Sequence, residues 1–165
     1  MGGLGVLPRA LWCDGPRGAT LNGMNIPFLG NWRKRHGTAL AQTQERDPEG
    51  VAQLLSECEL LRSRAAAAGV ELDDSAASLE ALDQVKPRWR DDPDELCRLG
   101  NDAGLYLGTV IVRTVPGAAW RIPASGRPVV RLASGREIDV VEAGGEWAAV
   151  GAPELSQRFA EVSEG

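Results

Sequence analysis

Side chains able to do chemistry are few in this chain, and their spacing keeps them apart. A serine or cysteine nucleophile needs a histidine-like base, yet His36 is the one histidine among 165 residues. Cys58 and Cys97 fall on apolar helical faces without a base beside them, and Cys13 stands far upstream. Zinc sites need clustered cysteine and histidine, and tens of residues separate these thiols, so no metal site is expected. Carboxylate pairs occur at Asp73-Asp74, Asp91-Asp92 and Glu137-x-Asp139. The first two sit where helix caps belong and the third alternates along an exposed strand face, so all three read as structural. Asn101, Asp102 and Tyr106 share one side of a helix, and with Trp120 and Arg131 they form the candidate ligand pocket. No catalytic residue and no cofactor follows from this pattern, which leans away from an enzyme.

The elements that would position these residues are clearest from Asp92 onward. Asp92 can cap a helix, Pro93 suits its first position, and Asp94 and Glu95 complement the positive end of its dipole. Leu96, Leu99, Ala103, Leu107 and Val110 then recur at the three- and four-residue steps of a buried face. Gly100, Gly104 and Gly108 stack one turn apart on an adjoining stripe. Each glycine costs about 1 kcal/mol against alanine in a helix interior, so three in line imply a very close neighbour. Arg98, Asp102 and Arg113 interrupt the span, and no apolar run of ~20 residues exists, so it is not a membrane helix.

Downstream, residues 117–123 and 127–133 read as two strands of a hairpin around Ala124-Ser125-Gly126, with Gly126 in the left-handed position. That register sets Trp120 opposite Val130. Continuing it, Ile138 should oppose Leu132 and Val140 should oppose Val130, with Arg131 across from Asp139 as an outer ion pair and an odd-length connection or a bulge around Ser134-Gly135-Arg136. Pro123 marks the first strand as an edge, and Pro128 is tolerable only near the start of the middle one.

Upstream, Asp47-Pro48-Glu49 opens a helix whose Val51, Leu54, Leu55, Cys58, Leu61 and Ala65 trace one apolar face until Gly69. Glu57, Glu59, Arg62 and Arg64 would be its solvated side. Ser75 or Ser78 starts another, with Leu79, Leu82 and Val85 inward, and Trp89 anchors the turn into Asp92. After the meander Gly144-Gly145 loosens the chain, and residues 153–162 form a short final helix with Leu155, Phe159 and Val162 inward.

Composition fits one globular domain: 43% hydrophobic and 25% charged residues over this length supply a real core. Sixteen of the 18 basic residues are arginine, a bias of a GC-rich genome rather than of function. Three cysteines, two of them helical, suggest reduced buried thiols and a cytoplasmic home. The first 23 residues differ in character from the rest of the chain: they lack a basic n-region, and Pro8 and Arg9 break the short apolar run, which argues against a secretory signal. Met24 would make a natural start. Up to His36 five basic residues stand against Asp14, giving +4 and leaving −9 for the rest of a total of −5. The expected organisation is therefore an extension and flexible basic arm over 1–44 and a single domain over 45–165. Trp32 beside Arg33, Lys34 and Arg35 could touch an anionic partner, but three charges leave only a small electrostatic footprint. The acidic body argues against a broad nucleic-acid surface.

Four segments carry a resemblance: Met24-Asn-Ile-Pro-Phe-Leu-Gly30, the helix from Leu99 to Val110, the Pro116-to-Trp120 turn, and Arg131 to Val140. Together they resemble a family of short actinobacterial, mainly Streptomyces, proteins of unknown function, from Met24 to the C-terminus. The resemblance implies no activity, cofactor or catalytic residue. The expected fold is α+β: two or three N-terminal helices including the long glycine-laced one, a small antiparallel meander of about three strands, then a short C-terminal helix. The expected role is a cytoplasmic interaction domain whose partner is another protein. The alternative is a small-molecule or anion-binding domain, or an enzyme with an unrecognised site. A deep pocket containing Asp102, Tyr106 and Arg131 would favour the second reading, and a flat apolar patch beside the sheet the first.

Overall fold

The computed structural model describes residues 41–85 and 92–165. The expected extension before Met24, the arm at 32–36 and the corner around Trp89 lie outside these residues. Among the described residues a helical stretch at 41–46 is followed by α1 (Pro48–Leu55), α2 (Glu59–Ala67), α3 (Ala76–Val85) and α4 (Pro93–Thr114). A three-stranded antiparallel sheet comes next, β1 (Ala119–Arg121), β2 (Val129–Arg131) and β3 (Glu137–Ile138), in that spatial order. Two more helices, α5 (Val140–Val150) and α6 (Leu155–Ser163), close the chain. The arrangement is α+β, and none of the described helices is long and apolar enough to cross a membrane.

Helix α4 is the spine, and its start matches the sequence signal: Asp92 Oδ1 accepts from the backbone N–H of Asp94 and Glu95, with Pro93 at the first position. Leu99, Ala103, Leu107 and Val110 are buried at its centre. The close neighbour that the glycine stripe requires is α5. A Cβ built at Gly104 would overlap Val140 O and lie 2.7 Å from Val141 Cα, and one at Gly144 would lie 2.6 Å from Gly104 Cα. The two backbones therefore touch through glycine on both sides. At Gly108 the ring of Trp120 fills the same space.

This contact corrects the reading of residues 140–150. Val140 is not a strand residue opposite Val130 but the first residue of α5, and Gly144-Gly145 does not loosen the chain. Strand β3 stops at Ile138 because the Asp139 carboxylate accepts from Glu142 N–H and starts a helix there. The β1–β2 register is as expected, Trp120 opposite Val130, but the β2–β3 register is shifted by two residues: Val130 faces Ile138 rather than Val140, and Arg131 faces Glu137 rather than Asp139. Asp139 pairs instead with Arg127 at 2.9 Å, and the outer cross-sheet ion pair is Arg121 with Glu137. Gly126 takes the expected positive φ of 76°. Leu155 and Val162 of α6 face inward as the sequence indicates, with Phe159 packed against the core.

The single helix expected from Pro48 to Gly69 is two. It breaks at residues 56–58, where Cys58 adopts φ 41°. The break persists because two distant side chains satisfy the backbone there. Arg62 donates to Ser56 O at 3.0 Å and Glu57 O at 3.1 Å, and the Asp102 carboxylate accepts from Leu61 N–H at 3.1 Å. A helix end whose polar groups are paired off the helix costs little to expose. Arg62 is accordingly not on a solvated face.

Candidate functional site

The polar residues of α4 turn toward α2 and the segment before α3. Tyr106 has no exposed surface; its hydroxyl accepts from Asp74 N–H at 2.9 Å and shares a 2.6 Å hydrogen bond with Ser78 Oγ. Over its ring lies the Arg62 guanidinium, 5.2 Å from the centroid, a cation–π geometry. Arg62 also reaches Leu72 O and, at 2.7 Å, Asp74 Oδ1. Asp74 does not cap a helix as expected: at φ 62° it bridges Arg62 and Arg113, the latter at 2.8 Å through Oδ2. Asp73 takes the local turn, accepting from Ser75 N–H and Oγ. Each of these groups is spent on another part of the chain, so the cluster fastens α2, α3 and α4 together.

Asp102 sits one turn before Tyr106 and does the same for α2. Cys58, at the N-cap position, supplies no side-chain bond, and Asp102 takes over from 41 residues away. Burial pushes its carboxyl above the usual aspartate range, against the lowering effect of the Leu61 and Leu60 N–H groups and of Arg98. A carboxyl whose folded pKa is raised holds its proton to higher pH in the folded state than in the unfolded one. Stability from this group is therefore present in acid and lost as pH rises from ordinary aspartate values through the raised one. Asp102→Asn keeps an acceptor without the charge. Urea unfolding from pH 3.5 to 7 should show the wild type losing ground to the variant as pH rises, and the opposite slope would contradict the burial argument.

Cys58 is buried, donates to Leu55 O at 3.4 Å, and has its thiol pushed well above the ordinary value by burial and then by Asp102. Such a thiol is a poor nucleophile. The expectation of reduced thiols holds for Cys58 but not for Cys97, which is disulfide-bonded.

The sequence reading missed Asp83. Only 4% exposed, it accepts from Trp147 Nε1 at 2.7 Å, Leu155 N–H at 3.0 Å, Ser156 N–H at 3.0 Å and Ser156 Oγ at 2.7 Å. It thereby caps α6, whose own N-cap residue Glu154 makes no side-chain cap bond, and ties α3 to α5. The signal lay in its position. Asp83 follows Leu79 by four residues, on the inward stripe of α3, where a charged residue must find partners.

Of the five residues grouped as a pocket, Asn101 and Tyr106 are buried and Asp102 is half-buried, all on or beside the packed faces of α4. Trp120 and Arg131 come together elsewhere, in a depression of about 820 Å³ beside the sheet. Pro48, Ile122, Leu132 and Ala133 join them in its walls, with Arg121 and Glu45 among the charged residues. Along one side runs the helical stretch 41–46. Its Gln44 donates to Trp120 O at 2.5 Å and accepts from Ile122 N–H at 2.7 Å, which satisfies the open edge of β1. A sheet edge paired in this way cannot recruit a further strand.

A model of a family of unknown function, DUF6278, matches residues 24–165. The chain belongs to this family. The match begins at Met24, where the composition of the sequence shifts. Comparison with curated proteins and with solved structures finds no match.

Proposed function

We propose that this DUF6278 member is a binding domain that engages another protein through the depression beside the sheet. One observation carries the reading. The polar side chains best suited to chemistry, Asp102 and Tyr106, are consumed by helix capping and interhelical bonds, while Trp120 and Arg131 line an open surface of large size. Its lining combines the aliphatic Pro48, Ile122, Leu132 and Ala133 with Arg121 and Arg131, and arginine beside apolar surface is enriched at protein interfaces. The small-molecule alternative at this place is disfavoured by shape, since a deep pocket joining Asp102, Tyr106 and Arg131 does not form.

Ala119 and Arg131 are exposed and line this surface. The double variant Ala119→Glu, Arg131→Glu should fold with a stability within about 1 kcal/mol of wild type. It should also lose any protein that co-purifies stoichiometrically with the tagged wild-type chain. Retention of that protein at full occupancy would place the contact on another surface.

A further inference from the structure

The depression beside the sheet presents charges of both signs over a floor of small residues. Ala119, Ala133 and Gly135 line it and are exposed, so a chain laid there meets nothing larger than a methyl group at these positions. Arg131 rises from that floor. Its cross-strand neighbours are Ala119 on one side and Glu137 on the other. Glu137 is placed to pair with it, yet Arg121 takes that carboxylate from β1. Arg131 is therefore exposed and makes no ion pair among the described residues.

The side formed by the helical stretch 41–46 is different. Glu45 is exposed there, also without an ion pair among the described residues, and the exposed Pro48 follows it in the lining. The sheet segment itself carries Arg121, Arg127, Arg131 and Arg136 against Glu137 and Asp139, while the body after His36 has a net charge of −9. The Debye length at physiological salt is about 8 Å, so an occupant of the depression responds to these arginines rather than to the distant carboxylates.

We infer that the occupant is an acidic segment of a partner protein, one that sets an aspartate or glutamate carboxylate on Arg131 and lays apolar residues over Ala119, Ala133 and Pro48; this rests on the reading of the depression as a protein-binding surface. A guanidinium takes a carboxylate through two parallel N–H donors, and apolar cover strengthens the pair by excluding water. A nucleic-acid strand fits less well, because it carries a phosphate at every step and sets some of them against Glu45.

The test is selection of a random dodecapeptide library, displayed on phage, against the immobilised full chain. Affinities of the recovered peptides are then measured on wild type, Ala119→Gln and Arg131→Gln, both at exposed positions and both checked by circular dichroism. Ala119→Gln fills the floor without adding charge and so reports whether a peptide sits in the depression. Peptides weakened by it should be rich in aspartate or glutamate, should bind about tenfold more weakly to Arg131→Gln, and should weaken as salt rises. Neutral or basic Ala119-dependent peptides, or acidic ones indifferent to Arg131→Gln, overturn this inference and leave the protein-binding surface standing. Recovery of no Ala119-dependent peptide overturns both. Ala119-dependent binding of oligo-thymidylate that is tighter than that of every recovered peptide overturns the inference in favour of nucleic acid.

Discussion

Replacing Gly104 by alanine should destabilise the protein by more than ~2 kcal/mol, and replacing it by leucine should leave the protein unfolded at room temperature. The sign is the informative part. Helix propensity alone favours alanine over glycine in a helix interior by about 1 kcal/mol, so a gain would be expected if the stripe faced solvent or a flexible side chain. The new methyl group would instead meet Val140 O and Val141 Cα, backbone atoms of α5 that no rotamer change can move. Relief requires shifting the helix, and the α4–α5 contact is the most extensive in the fold. Overpacking of that kind costs about 1–3 kcal/mol and more where the surroundings cannot yield. Gly100 supplies the comparison. Its added Cβ would stand 3.2 Å from Ala148 Cβ and Gly145 Cα, a contact that a small adjustment accommodates. Chemical denaturation should therefore rank Gly104→Ala well below Gly100→Ala, and equal stabilities would mean that α5 does not pack as described.

Asp83→Ala should cost on the order of 4 kcal/mol, because the carboxylate serves four donors at once and each buried donor left unsatisfied costs about 1–3 kcal/mol. That is a large share of the ~5–15 kcal/mol by which a domain is stable. Two of the losses are specific. Trp147 is 1% exposed and its Nε1–H has Asp83 as its hydrogen-bond acceptor, while the first turn of α6 loses its cap at Leu155 and Ser156. Asp83→Asn keeps one acceptor oxygen but aims an amide N–H₂ at the remaining donors, so it should recover only part of the loss. Thermal unfolding followed by far-ultraviolet circular dichroism reads the combined loss. A variant as stable as wild type would show that α6 holds its place without Asp83.

Both predictions rest on features that the sequence displayed in different degrees. Gly100, Gly104 and Gly108 announced a close neighbour, and the neighbour itself was hidden by Gly144 and Gly145. In a local reading two adjacent glycines break a helix. Here Gly144 is the counterpart of Gly104 across the contact, and its helical cost is offset by packing that no local pattern reveals. The Asp92 cap, the Trp120–Val130 register and the inward face of α6 were legible because each depends on residues near one another in sequence. The break at Cys58 was not, since Arg62 acts across the break while Asp102 acts from 41 residues away. For the same reason the candidate site divided. Asp102 and Tyr106 are turned to α2 and the start of α3, while Arg131 faces the depression beside the sheet and the ring of Trp120, whose backbone borders it, packs on Gly108.

The claim that this depression is a protein-binding surface is tested most directly by a photo-crosslinking residue placed at Arg131 in the full chain, with the same residue at Arg64 as the control. Arg64 is exposed beside Glu95, on the α2 side of the fold. In the cell that makes the protein, irradiation should give a discrete crosslinked protein of constant mass from position 131 and none from position 64. Ala119→Glu should abolish that product. Equal labelling from both positions, or none from 131, would contradict the account.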